Sequence, residues 1–373
     1  MKKKINVRAY TMIIAIVVIW TIFAILTEGN FITPRNISML ARQMSITALV
    51  AIGMVFVIVA GHIDLSVGSV VGFTGAMAGV LQVWNGWSTP MTIIGVLVIG
   101  VLIGLWQGYW VAYRGVPAFI VTLGGMLIFR GGVLLVSKGI TISPYKDSFR
   151  FIGQGYLNKE LSILFGILLA IGYIYMTINE RNKKKKYNLE VPSIGMELVK
   201  GTIFLALIGI FTAIMVGYEG ISIPLLILVV FTLILTFAAS NTTFGRYVYA
   251  IGGNKEAARL SGINIKKVNL GIFVMMGFLA ALAGIVMTSR LDAATAGAGT
   301  NMELDAIAAA ILGGTSTLGG EGTVAGAIIG ALIMASIDNG MSLLNLEYSY
   351  QIIVKGLILI IAVWFDISSR KRA

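Results

Sequence analysis

The sequence predicts an all-α polytopic membrane protein with about ten transmembrane helices and two broken, re-entrant helix pairs. Three observations carry this. Only 12% of the 373 residues are charged and 57% are hydrophobic, where a soluble domain carries roughly 25% charged residues. Apolar runs near the ~20 residues that cross a bilayer recur from end to end. These runs are continuous, without the apolar–polar alternation of a membrane β-barrel.

The elements follow in order. The first span is expected over Ala9–Thr27. Its basic start resembles a signal peptide, but no small-x-small cleavage site follows, so it is read as retained. After the polar stretch "EGNFITPRNISMLARQ" come two apolar segments, Ile46–Ala60 and Val67–Val83, broken by "GHIDLS". Further spans are expected near Met91–Tyr113, Ala118–Val136 and Leu161–Thr177, then a Lys-rich loop at about 179–198. Val199–Gly217 and Ile221–Ala238 form a hairpin around "YEGIS". A polar segment at about 239–269 leads to Leu270–Thr288. The second broken pair, Leu304–Leu312 and Thr323–Ile337, flanks "GGTSTLGGEG", and Tyr350–Phe365 is the last span. The total is ten if one member of each pair is a half-helix, twelve if all cross; ten is adopted. Both pairs sit between an outward and an inward span, the pattern of an internal duplication. No connecting segment has room for a soluble domain, so 1–373 reads as one transmembrane domain.

Most of the 28 Lys and Arg residues lie in the N-terminus, the Lys-rich loop, 239–269 and the C-terminal tail. The positive-inside rule therefore puts these segments, and both chain ends, in the cytoplasm. The net charge of +12 is explained by this distribution and not by nucleic-acid binding. Cysteine is absent, which excludes disulfides and thiolate metal sites. No metal site, nucleophile–base pair or His-rich cluster points to an enzyme. "GGTSTLGGEG" is no phosphate cradle, because no Gly-Lys dipeptide occurs in the chain.

Glycine numbers 45, with small-xxx-small spacing at Gly68/Gly72, Gly75/Gly79, Gly100/Gly104/Gly108 and Gly326/Gly330. Such faces let helices approach closely, within the chain or as a seam with a second copy. The breaks supply the candidate substrate-path residues: His62, Asp64 and Ser66 in the first, with Asn301 and Asn339 around the second. Asp64 and Ser66 also suit the N-cap of the helix beginning near Val67. His62, the one histidine, is either a local hydrogen-bonding residue or a proton relay. Glu321 and Asp338 are expected to be buried and in need of partners such as Lys355, and Arg130 is expected to reach the outer interface.

"AIGGNKEAARLSGINIKK" is polar between two apolar runs. Asn254 suits an N-cap, Glu256 a first turn and Gly262 a left-handed helix end, which predicts a two-turn helix at about Lys255–Ser261. Ala257–Ala258 would leave room for another protein's surface.

"GGNKEAARLSGI" resembles the cytoplasmic coupling segment of bacterial ABC importer permeases. Together with "HIDLSVGS", "ELDAIAAAILGGTSTLGGEGTVAGAIIGALI", "NGMSLLNL" and "YQIIVKGLILIIAVW", it resembles the ribose/xylose-type monosaccharide permeases over nearly the whole chain. The extra segment around Leu161–Gly217 resembles the longer xylose or multiple-sugar type. The resemblance implies a permease subunit in the bacterial inner membrane that binds no cofactor itself. It implies a second permease copy, surrounding lipid, a tandem-domain ATPase that uses ATP and magnesium, and an extracellular or periplasmic sugar-binding protein. Gly252, Gly253, Asn254, Glu256, Ala257, Ala258, Ser261 and Gly262 would then couple to the ATPase. The alternatives are a permease of the same architecture for nucleosides or branched-chain amino acids, and a proton-coupled sugar symporter using His62 and Asp64.

Overall fold

A computed structural model describes residues 7–191 and 193–370; the basic residues at either end of the chain, 1–6 and 371–373, lie outside it. Apart from two isolated bridges, Ile142 with Ala294 and Tyr156 with Ser222, the regular structure described is helical. The helices are α1 (Val7–Leu26), α2 (Pro34–Val59), α3 (Val67–Gly79, prolonged by a π-helical turn to Trp84), α4 (Thr89–Ala112) and α5 (Ala118–Ser137). Then come α6 (Asp147–Gln154), α7 (Lys159–Lys186), α8 (Ile194–Val216), α9 (Ile223–Asn241), α10 (Thr243–Gly253) and α11 (Lys255–Leu260). The chain closes with α12 (Ile265–Leu291), α13 (Met302–Leu312), α14 (Val324–Leu343) and α15 (Tyr348–Arg370).

Ten described helices are long and apolar enough to cross a bilayer, so this is a multi-pass membrane protein. The number is the expected one, but its allocation differs. Both members of the first broken pair qualify, whereas in the second only α14 does and α13 has 11 residues. α1 carries the apolar run Met12–Leu26 in addition to the ten.

The stretch expected to be a polar connection is the first third of α2. Thr33 caps it, accepting from the Asn36 amide at 3.4 Å, and Pro34 occupies the first turn, where its missing N–H costs nothing. α2 is then the axis of the fold, 83% of its most apolar stretch being buried among α9, α12, α13 and α14. The Lys-rich loop is also shorter than expected. α7 continues through Lys186 because its straight-chain residues favour helix, Lys184 pairs with Glu180 one turn back, and cations suit a helix C-terminus.

All the glycine faces named from the sequence pack inside the chain. A Cβ on Gly100 would lie 2.5 Å from the Gly277 carbonyl oxygen, and one on Gly277 2.2 Å from that of Gly100, so α4 and α12 touch backbone to backbone. Gly75 meets Thr288, Gly330 meets the Ala309 carbonyl, and Gly313 and Gly326 meet each other. In a bilayer such close packing holds helices together, because lipid is as apolar as the side chains.

The first break lies deep in the bundle. α3 runs parallel to α12, with Gly75 at Thr288 and Val71 at Gly284. Its start therefore sits roughly 20 Å along α12 from that helix's own start. Residues 292–301 dip back from the end of α12 to the same level, where Gly299 and Glu303 crowd Gly68. The N-terminal ends of α3 and α13 thus meet inside the protein and run in opposite directions. Non-helical backbone at such depth is tolerated where protein surrounds it.

Candidate functional site: two helix breaks and the segment beneath them

The first break is sealed by hydrogen bonds. Asp64, 2% exposed, accepts from the Ser66 amide at 2.8 Å and from its hydroxyl at 2.7 Å. Gln107 of α4 donates to the Ser66 hydroxyl at 2.7 Å, and Thr122 of α5 donates to the Ile63 carbonyl at 3.3 Å. Asp64 is therefore bound to the start of its own helix. Opposite it, Glu303 in the first turn of α13 is 5% exposed, and its Oε2 has no hydrogen-bond partner. Nη2 of Arg130 on α5 is likewise buried and unpartnered, yet Arg130 lies within electrostatic reach of Glu303. Arg130 does not reach the outer interface as expected. It stays half-buried, turned toward the acid that the protein has buried.

The two helices that flank the second break are tied together by charge on the side away from it. Lys355 on α15 bridges Asp305 of α13 at 3.0 Å and Asp338 of α14 at 2.7 Å. Further along α15, Asp366 accepts from the amide and hydroxyl of Thr317 at 3.2 and 3.1 Å. Lys355 is thus the partner expected for Asp338. Glu321, by contrast, is exposed, since the glycine-rich loop turns it outward while its carbonyl accepts from the Ser316 amide.

The expected path residues do not form one site. Asp64 and Ser66 are adjacent. Asn301, at the start of α13, lines a cavity of about 110 Å³ with Asp305 and Lys355. Asn339 is elsewhere, in a reciprocal amide pair with Asn36 of α2 at 2.8 and 3.0 Å. His62 faces a different cavity, of about 330 Å³, shared with Asn269, Pro117 and Lys255, with Phe273 beside its ring at 6.0 Å. Sequence reading missed Glu303, Asp305 and Gln107. Two acids within the apolar run "MELDAIAAAIL" were the available signal.

The segment from Thr243 to Gly262 lies under both breaks. Asn254 caps α11, its side chain accepting from the Ala257 amide at 2.9 Å. Glu256 pairs with Arg259 at 3.0 Å. The Ser261 hydroxyl donates to the Ala257 carbonyl at 2.9 Å, and Gly262 ends the helix at φ +81°. The alanine pair does not present one surface: Ala257 is exposed, but Ala258 is 4% exposed and belongs to the core. Its neighbour Leu260 is 82% exposed, an apolar knob that six residues of helix were too short to reveal by periodicity.

Gly252 and Gly253 differ just as sharply. A Cβ on Gly252 would sit 1.6 Å from the carbonyl oxygen of Val59, the last residue of α2, and 2.6 Å from the amide nitrogen of Gly320 in the second break. That same carbonyl accepts the Gly320 amide at 2.9 Å. Tyr249 donates to the Gly322 carbonyl at 2.7 Å, and Lys255 borders the cavity of His62. A Cβ on Gly253 would meet nothing within 4 Å.

Residues 36–363 match the model of a family described as the branched-chain amino acid transport system / permease component. The chain belongs to this permease family. The permease is 46% identical over 370 residues to the xylose transport system permease protein XylH of Haemophilus influenzae, covering 99% of each chain. It is 44% identical to XylH of Escherichia coli over 375 residues, covering all of this chain and 94% of that protein. It is 35% identical to the ribose import permease protein RbsC of Haemophilus influenzae over 359 residues, covering 95% of this chain and 91% of that one. No solved structure matches the permease. The resemblance read from its motifs, to permeases of the ribose/xylose type, is shown.

Proposed function

We propose that this chain is the membrane permease subunit of an ATP-driven monosaccharide importer, its sugar of the xylose type. The observation that carries the coupling is the seating of Thr243–Gly262 on both helix breaks through Gly252 and Tyr249. An ATPase with two nucleotide-binding halves would grip α11 from the cytoplasm, using its own ATP and magnesium. A displacement of α11 would reach the end of α2 and the glycine loop together. The basic ends of the helices and both termini would then be cytoplasmic, in the inner membrane of a bacterium. A sugar-binding protein would deliver the ligand on the other side, to a pathway formed with a second copy. Of the expected path residues, Asp64, Ser66 and Asn301 remain the candidates, joined by Glu303 and Arg130, whose unpartnered atoms can exchange hydrogen bonds with a passing polyol. Asn339 and His62 are set aside on their positions.

Reconstituted vesicles test this reading. With the cognate receptor and ATPase present, labelled xylose should accumulate only when ATP is supplied, and a protonophore should leave uptake intact. Replacing the exposed Ala257 with Glu should cut ATPase recovery and uptake together. Accumulation by the lone chain without nucleotide would overturn the proposal, and a receptor that binds a nucleoside or branched-chain amino acid instead of a sugar would move it to another substrate class.

A further inference from the structure

The α7–α8 hairpin stands apart from the bundle. Its helices are zipped to each other at three levels: Gly166 against Thr212, the Tyr173 and Phe204 rings stacked at 4.5 Å, and Arg181 paired with Glu197. Otherwise little covers them, for only 11% and 6% of their most apolar stretches are buried. Leu161, Leu164, Leu168, Ile171 and Ile178 face outward, so lipid surrounds the hairpin.

α7 is too long for the bilayer it crosses. Its 28 residues span about 42 Å at 1.5 Å per residue, against ~30 Å of hydrocarbon. The apolar part ends at Ile178. Lys183–Lys186 therefore project roughly 7–12 Å beyond it, the depth of the headgroup layer, with the exposed ring of Tyr187 beside them. Glu180 and Glu197 are taken by Lys184 and Arg181. Lys183, Lys185 and Lys186 are exposed, and their side chains have no hydrogen bond or ion pair among the described residues.

We infer that this last turn of α7 is a binding site for anionic phospholipid headgroups in the leaflet at the basic end of the bundle. Three unpaired ammonium groups are held at headgroup depth on a helix that lipid already surrounds. A phosphodiester is the complementary charge available there, and a lysine at a membrane surface attracts it individually. The site depends only on the chain spanning a bilayer, so it stands or falls independently of the sugar and of the ATPase.

The test uses the full chain in nanodiscs of phosphatidylcholine with and without phosphatidylglycerol, reading retained lipid by native mass spectrometry after mild delipidation. The wild type should keep phosphatidylglycerol in preference, and salt should weaken that preference. In K183Q/K185Q/K186Q retention should fall roughly fivefold per lysine removed. K159Q, at the opposite end of α7, should retain lipid like the wild type. Equal retention by the triple variant, or an equal loss in K159Q, would overturn the site. So would a triple variant that keeps its phosphatidylglycerol but loses a co-purifying soluble protein, since the lysines would then face that protein.

Discussion

The two helix breaks look alike in sequence, each a glycine-bearing polar interruption between apolar runs, but they are held in opposite ways. The first is closed by side-chain hydrogen bonds, with Asp64 on Ser66, Gln107 of α4 on Ser66 and Thr122 of α5 on Ile63. At the second, Asp366 of α15 accepts from Thr317 within the break, while Lys355 ties α13 to α14 at the end of that pair away from it; only 12% of the most apolar stretch of α15 is buried. The pair is therefore asymmetric in what holds it, and Gly252 touches the end of α2 before the first break and the loop of the second.

The largest effect should come from the charged clamp. Replacing Lys355 with Met leaves the partly buried Asp305 and Asp338 facing each other without a cation; breaking a fully buried pair costs about 3–5 kcal/mol, and this one approaches the lower figure. Thermal unfolding of the purified chain measures it, and an unchanged midpoint would remove the clamp from the comparison. Gly252→Ala comes next. Its Cβ meets main-chain atoms that cannot rotate away, and overpacking costs about 1–3 kcal/mol. Uptake should fall severely, while Gly253→Ala, in open space, leaves it intact; equal uptake by the two would break the link between the segment and the junctions. Leu260→Asp should weaken ATPase recovery roughly tenfold, from the lost burial of one leucine, without altering the unfolding temperature. The smallest effect is Asp64→Asn. An amide oxygen still accepts from Ser66, so the expected cost is about 1 kcal/mol, and a loss as large as that of Lys355→Met would erase the contrast between the breaks.

What the sequence made legible follows from what is local. The spans, both breaks and the cap-to-glycine limits of α11 were readable, because hydrophobic length, Asn254 and Gly262 act within one or two turns. The true start of α2 was also written there, in Thr33-Pro34, but the polar residues after it outweighed that signal. Contacts between distant segments were not readable. Nothing in "GHIDLS" announces that Gln107 will reach Ser66, and nothing in "GGNKEAARL" distinguishes Gly252 from Gly253 or Ala257 from Ala258. Each of these pairs is alike in residue type, and only the packing of other elements tells its members apart.

At Gly252 the segment bears on the end of α2 and on the glycine loop with bare main chain. Side chains at a joint have rotamers, and rotamers absorb displacement before passing it on. Main-chain atoms in direct contact have no such slack. In the proposed coupling, a displacement of α11 would therefore reach both junctions through the one residue Gly252.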